Sequence, residues 1–228
     1  MSTAEPPRSR GRRTRAQLLD RAVALFAERG FGAVSVAEIA AAAGAHPNQV
    51  TYYFGSKDAL FVQAAFLMLL RDAERLEPVG RRQRTPATFR AALARAALAL
   101  PAVPVAVQAM ALARYRTELQ PLAQQNLTLL FRQAERYLTA VLDRHDWVID
   151  RPADVEARTF WSAVLGARLI SESGFGGRSA DVDLAGVLTV RTRPVREGRT
   201  PAPQAGREPS GASRRAARPG TSPAAPNG

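Results

Sequence analysis

Ser35–Lys57, SVAEIAAAAGAHPNQVTYYFGSK, reads as two short helices joined by a tight turn, with a third helix starting at its end. Ser35 and Glu38 have the spacing of a capping box, in which a hydroxyl accepts from the N3 amide and a carboxylate reaches back to the cap amide. Val36, Ile39, Ala40 and Ala43 then fall on one stripe of a two-turn helix. Gly44 stands where that helix must stop, because glycine enters the left-handed region without steric cost. Pro47 suits the first turn of the next helix, which the boundary rules run from Pro47 to Phe54. Val50 and Phe54, four apart, would face inward. Asn48, Thr51 and Tyr52 would face out, with Gln49 and Tyr53 beside them. A plain solvated face prefers Lys and Glu; amide, hydroxyl and phenol groups are what reading base edges and phosphates in a major groove requires.

Moving outward, Leu18, Leu19, Ala22, Val23 and Phe26 form one face of a preceding helix, Arg15 to Arg29, with Thr14 and Gln17 at capping-box spacing. Gly30 ends it, and Phe31 and Val34 close the core over the two short helices. Ser56 is placed to cap the helix that follows, with Asp58 in its first turn. Lys57 sits at that N-terminus, where free amides and a cation can hold a phosphate together; the alternative is an ordinary surface lysine. His46 either caps the recognition helix, touches a phosphate or is a plain turn residue.

The segment Thr14 to Phe66 resembles the DNA-binding domain of the TetR family of bacterial transcription regulators. The resemblance rests on LLDRAVALFAERGF, SVAEIAAAAG, AHPNQVTYYF and GSKDALF taken together. Pro47 and Thr51 depart from the residues usual in that family's recognition helix, so a relative's base preference does not carry over. The resemblance implies an all-α fold: an N-terminal helix-turn-helix domain, then a helical domain that binds an inducer and dimerises. It also implies a DNA-contacting set of Ser35, His46, Asn48, Gln49, Thr51, Tyr52, Tyr53 and Lys57, to which Arg12 and Arg13 add a basic arm.

The organisation expected from the chain is a disordered basic arm (1–13), a helix-turn-helix domain (14–66), a helical ligand-binding and dimerisation domain (67–190) and a disordered basic tail (191–228). The net charge of +12 is concentrated at the ends. Residues 1–15 carry five Arg against one Glu, and residues 191–228 carry eight Arg against two Glu. Glu77 to Arg84 reads as an exposed loop. Helices are expected near 86–100, 104–119, 121–146 and 153–173, with a short one from Asp181 to Val190. No stretch alternates with period two, so no sheet is expected. After Leu188 the chain has no Leu, Ile, Phe, Met, Trp or Tyr, and too little apolar surface to offset the entropy of ordering. A natural basic tail and a reading-frame slip in a GC-rich gene would both give that composition.

Several function classes fall away. With no Cys and two His, neither a disulfide framework nor a multi-imidazole metal site can be built, and a reducing, cytoplasmic setting is expected. MSTAEPPRSRGRR has no apolar core and does not read as a signal peptide, and no apolar run is long enough for a membrane span. The acids are scattered over helix surfaces, Asp143, His145 and Asp146 reading as a charged helix end, so no catalytic residues and no cofactor are expected. Phe66, Met110, Tyr115, Phe131 and Trp161 either fill a core or line a pocket for a small apolar ligand, the pocket being implied by the resemblance. The expected function is therefore a sequence-specific regulator, a homodimeric repressor of an operator on double-stranded DNA. The alternative is a basic protein that coats DNA with little specificity.

Overall fold

The computed structural model describes residues 7–175 and 183–194 of the chain. It is all-α apart from one minimal strand pair. Helix α1 spans Pro7–Arg29, α2 Val36–Ala42, α3 Pro47–Phe54 and α4 Lys57–Glu74. Leu18, Ala22 and Phe26 of α1, Val34, Ile39 of α2 and Val50 and Phe54 of α3 form one buried cluster against Leu60 and Phe61 of α4. Phe61 meets the Phe26 ring edge-on at 5.3 Å and lies 4.5 Å from Phe31. The stripes expected from periodicity therefore point where they should.

The basic arm is corrected over residues 7–13, residues 1–6 lying outside the described residues. Residues 7–13 are helical and continue α1 rather than forming a disordered lead. Thr14, expected as a cap, sits inside the helix, and its hydroxyl donates back to the Arg10 carbonyl at 3.0 Å. Composition alone concealed the reason. A Cβ at Gly11 would stand 3.4 Å from the Tyr53 phenol oxygen, so the extra turns lie against α3 and gain a packing partner.

Helix α4 is buried on several sides, at Leu60, Phe61, Val62, Ala64, Ala65, Phe66 and Leu69. Its far end carries Asp72, a buried acid whose carboxylate accepts from the Ala102 amide at 3.1 Å and from Arg75 at 2.6 Å. That amide opens α7 (Ala102–Tyr115), a helix with no side-chain cap of its own. Past the other end of α7, Arg116 pairs with Asp58 in the first turn of α4 at 3.6 Å. The two helices therefore run antiparallel, tied at both ends.

The expected loop at 77–84 is instead largely a short helix, α5 (Glu77–Arg82). Gly80 is a poor helix former, so its partners explain the turn. The Tyr137 hydroxyl accepts from its amide at 3.0 Å, and His145 Nε2 donates to its carbonyl at 2.8 Å. Both residues lie on α8 (Gln120–His145), which follows α6 (Pro86–Leu98), α7 and a 3-10 turn at Thr117–Leu119. Asp146, with φ of 51°, ends α8, and His145 stacks on Trp147 at 4.3 Å.

A second correction concerns the end of the described chain. Trp147–Val148 (β1) pairs antiparallel with Arg191–Thr192 (β2), two residues each, too short to leave an alternating pattern in the sequence. Between them lie α9 (Ala153–Glu172) and α10, which is one turn, Leu184–Val187, rather than a helix to 190. Leu188 and Val190 continue as an extended strap with their side chains buried. Arg90 donates to the Val190 carbonyl at 3.1 Å, and Arg151 donates to the Val187 carbonyl at 2.6 Å. Glu156, fully buried, pairs with Arg151 at 2.7 Å and accepts from the Thr189 amide. A buried carboxylate is tolerated because a guanidinium and an amide satisfy it. Arg191 and Arg193 pair with Asp150 and Asp146, so residues 191–193 join the fold instead of the tail. The tail from residue 195 on, and residues 181 and 182 of the expected last helix, lie outside the described residues. No single helix among the described residues is long and apolar enough to cross a membrane.

The close approach of α5 to α8 at Gly80 gives a test. A Cβ on Gly80 would lie 2.3 Å from Val141 Cγ2. Gly80→Ala is expected to destabilise the fold by about 1–3 kcal/mol through overpacking, and Val141→Ala in the same chain should recover part of the loss. Urea unfolding midpoints of the two single variants and the double variant check it; additive losses would mean that the two positions do not press on each other.

Candidate nucleic-acid interface

The helix-turn-helix is set by caps. Ser35 Oγ donates to Glu38 Oε2 at 2.7 Å, while the Ser35 amide donates to the same oxygen at 2.8 Å. Arg29, at the end of α1, adds a 2.9 Å pair to Glu38. These contacts, the Ser35 hydroxyl first, hold the Glu38 carboxyl down from 4.5 to about 2. Gly44, at φ of 61°, closes α2, with the Ala45 amide donating to the Ala40 carbonyl and the Gly44 amide to the Ala41 carbonyl. His46 is the cap of α3: Gln49 Oε1 accepts from its amide at 2.9 Å, and its Nδ1 faces the Asn48 amide at 3.5 Å.

These bonds sort the expected DNA-contacting residues. Asn48, Thr51 and Tyr52 form an exposed face, with Tyr52 81 % exposed. Gln49 is drawn into the cap, and Tyr53 is half-buried beside Gly11 with its ring 4.9 Å from that of Tyr52. Ser35 is exposed but spends its hydroxyl on Glu38. Lys57 is the first residue of α4, and its Nζ stands 4.4 Å over the Phe31 ring, an aromatic support that sequence reading missed. Its place in the sequence assigns Phe31 to the core alone, and nothing in the spacing pairs it with Lys57. Arg12 and Arg13 are exposed on the added turns of α1.

The five residues expected to line a ligand pocket are not brought together. Phe66 is fully buried in the core, and Tyr115 is 81 % exposed at the end of α7. Met110 and Phe131 border an open groove of 950 Å³ between α7, α8 and α9. Trp161 alone borders a separate cavity of 740 Å³, walled by Leu130 and Tyr137 of α8, Leu93 of α6, Phe160 of α9 and Leu188 of the strap. The expected set was drawn from aromatic content, which does not report which helices converge. Gln133, Tyr137 and Val141, at i, i+4 and i+8 on α8, were the available signal.

A model of the "Bacterial regulatory proteins, tetR family" matches residues 18–64, and one for a "Bacterial transcriptional repressor C-terminal" region matches residues 86–189. A solved protein of Rhodococcus sp. RHA1, described as a transcriptional regulator, is 36% identical. The match covers 76% of this chain and 93% of that one, with a TM-score of 0.62. The chain belongs to the TetR family. It is a DNA-binding transcriptional regulator of a family without enzymatic activity. The same fold is shared by the multidrug binding protein EbrR, solved with imidazole (19% identity, 80% and 91% of the two chains, TM-score 0.51). It is shared too by RolR, solved with resorcinol (22% identity, 78% and 86% of the two chains, TM-score 0.50). None of the curated proteins compared matches the chain.

Two outcomes follow from the caps of this TetR-family domain. Because the Glu38 carboxyl is lowered on folding, its stabilising contribution is full above about pH 4.5 and is lost as the pH falls through about 2. Glu38→Gln should therefore melt below the parent near neutral pH, and the gap should close toward pH 2; thermal melts across that range check it. Lys57→Ala should weaken binding to every duplex alike and lower the slope of log affinity against log salt by about one counterion. An unchanged slope would take Lys57 out of the phosphate-contacting set.

Proposed function

We propose that this chain is a sequence-specific, dimeric repressor that a small molecule releases from its operator. The observation that carries the reading is the outward face of α3. Asn48, Thr51 and Tyr52 are exposed, uncharged and rich in hydrogen-bonding groups, on a short helix whose opposite side is locked into the core by Val50 and Phe54. Such a face discriminates bases; a DNA coater would instead present Lys and Arg there. Around it, Lys57 and the exposed arginines of α1 supply the charge that positions the helix on phosphates.

A dimer is part of this reading because two recognition helices must meet major grooves about 34–36 Å apart. Helix α9 offers a face for a second copy. Val155, Thr159, Ala163, Gly166 and Ile170 lie on one stripe without a charge, with Val155 40% and Ile170 51% exposed. A small-molecule response is supported by the 740 Å³ cavity, which is of a size that takes drug-sized ligands. Ligand complexes are also named for the fold relatives EbrR and RolR. The cavity borders both α8 and the end of α4, whose other end carries Lys57. A ligand there touches the helix that enters the DNA-binding half.

The reading is tested on duplexes recovered by selecting genomic fragments with the protein. Thr51→Ala and Tyr52→Ala are expected to cost about 1–3 kcal/mol each on the selected sequence. Random duplexes should be bound nearly as before. Equal losses on both, or recovery of no preferred sequence, would favour the coating protein instead.

A further inference from the structure

We propose that the cavity between α5, α8 and α9 takes a small amphipathic acid, its carboxylate at an arginine rim and its apolar body among Leu93, Leu130, Phe160 and Trp161. The proposal deepens the reading of this chain as a ligand-responsive regulator and rests on it for its regulatory meaning, though not for the binding itself.

The cavity has two chemically distinct ends. Its inner wall is aliphatic and aromatic, sealed on one side by Leu188 of the strap. Its rim carries Arg81, Arg136 and Arg144 against Glu74 and Glu77. Arg81 is already engaged, 3.1 Å from Glu77. Arg136 and Arg144 lie on the same side of α8, eight residues apart, exposed and without an acidic partner among the described residues. Against Glu74, the rim acid that has no ion pair among the described residues, these two guanidinium groups leave the rim net positive beside an apolar hole, an arrangement for an anion, and a forked donor matches a carboxylate.

The lining also holds two polar groups, on Tyr137 and Trp161, whose hydrogen-bonding capacity the fold leaves unspent among the described residues. The Tyr137 oxygen accepts from the Gly80 amide, but its own proton has no acceptor among the described residues. Burial, above all, pushes that phenol up to about 12, so it stays protonated and can only donate to an anion. Trp161 is 2% exposed and its indole N–H has no partner among the described residues. Yet no described side-chain nitrogen is both sealed from solvent and unpaired. Its N–H therefore keeps access to open space, and the cavity is the space that Trp161 borders. A phenol proton and an indole proton without acceptors among the described residues, in a lining that also holds Arg136 and Arg144, make a donor-rich site that a carboxylate satisfies better than a neutral hydrocarbon or a cation.

Isothermal titration of the full chain with three probes of equal chain length tests this: decanoate, methyl decanoate and decyltrimethylammonium, each below its aggregation concentration. Decanoate should bind about tenfold or more tightly than the ester, as expected for charge-assisted bonds, and the cation should not bind. Arg136→Gln with Arg144→Gln should lower decanoate affinity about tenfold or more and leave the ester unchanged. Tyr137→Phe should act in the same direction. Arg132→Gln, in the separate groove, should alter neither. Equal binding of acid, ester and cation would overturn the proposal. So would no binding of any probe, or an Arg132→Gln effect equal to that at the rim. Operator release, followed by gel shift, separates the two layers. Decanoate that binds without releasing DNA upholds the acid site and removes the regulatory reading. A neutral or cationic compound that releases DNA while decanoate does not bind keeps the regulatory reading and removes the acid site.

Discussion

The buried Asp72 carboxylate, at the far end of α4, is the constraint on which the two halves of the molecule depend. One of its oxygens closes the open N-terminus of α7 and the other holds Arg75. A helix start buried without a cap would leave amides unsatisfied at a cost of about 1–3 kcal/mol each. Helix α4 supplies the missing acceptor from a distance in sequence, and the start of α7 is thereby docked on the end of α4. With Arg116 meeting Asp58 at the opposite end, α4 and α7 are held in one register along their length. The helix that presents Lys57 is thereby the same rigid element that walls the cavity at Ala73 and Glu74.

A second set of polar contacts fixes what that rod leans on. Gly80 brings α5 so close to Val141 that no side chain fits between them, and Tyr137 and His145 satisfy its amide and carbonyl. The strap is treated in the same way. Its carbonyls at Val187 and Val190 accept from Arg151 and Arg90, and its Thr189 amide is met by the buried Glu156. These arginines are unlike those at the rim of the cavity. They spend their donors on backbone and a buried acid inside the fold, whereas Arg136 and Arg144 remain exposed.

The outward face of α3 shows a complementary economy. Every polar side chain near the turn that can serve structure does so: Ser35 with Glu38, His46 and Gln49 at the cap of α3, Ser56 at the cap of α4. Asn48, Thr51 and Tyr52 are left over. Lys57 stands at the start of α4 over the Phe31 ring and has no acidic partner among the described residues, which leaves its charge available to an anion.

Much of this was legible in the chain itself. Caps, turn glycines and helical stripes are local rules, acting over three to four residues, and they placed α3 at its observed bounds and α2, α8 and α9 within a residue or two. The exposed face of α3 followed from the same periodicity, since burying Val50 and Phe54 leaves only one side for Thr51 and Tyr52. What the sequence could not determine depends on partners far along the chain. The N-terminal turns of α1 lie against Tyr53, the turn of α5 bonds to Tyr137 and His145, and the strap and its strand meet Arg90, Arg151 and Trp147. The cavity is the clearest case. Aromatic content nominated Phe66, Met110, Tyr115 and Phe131 alongside Trp161, but a hole is a property of how helices converge, and only Trp161 borders this one. Local patterning settles which residues face a core; only tertiary packing decides where that core fails to close.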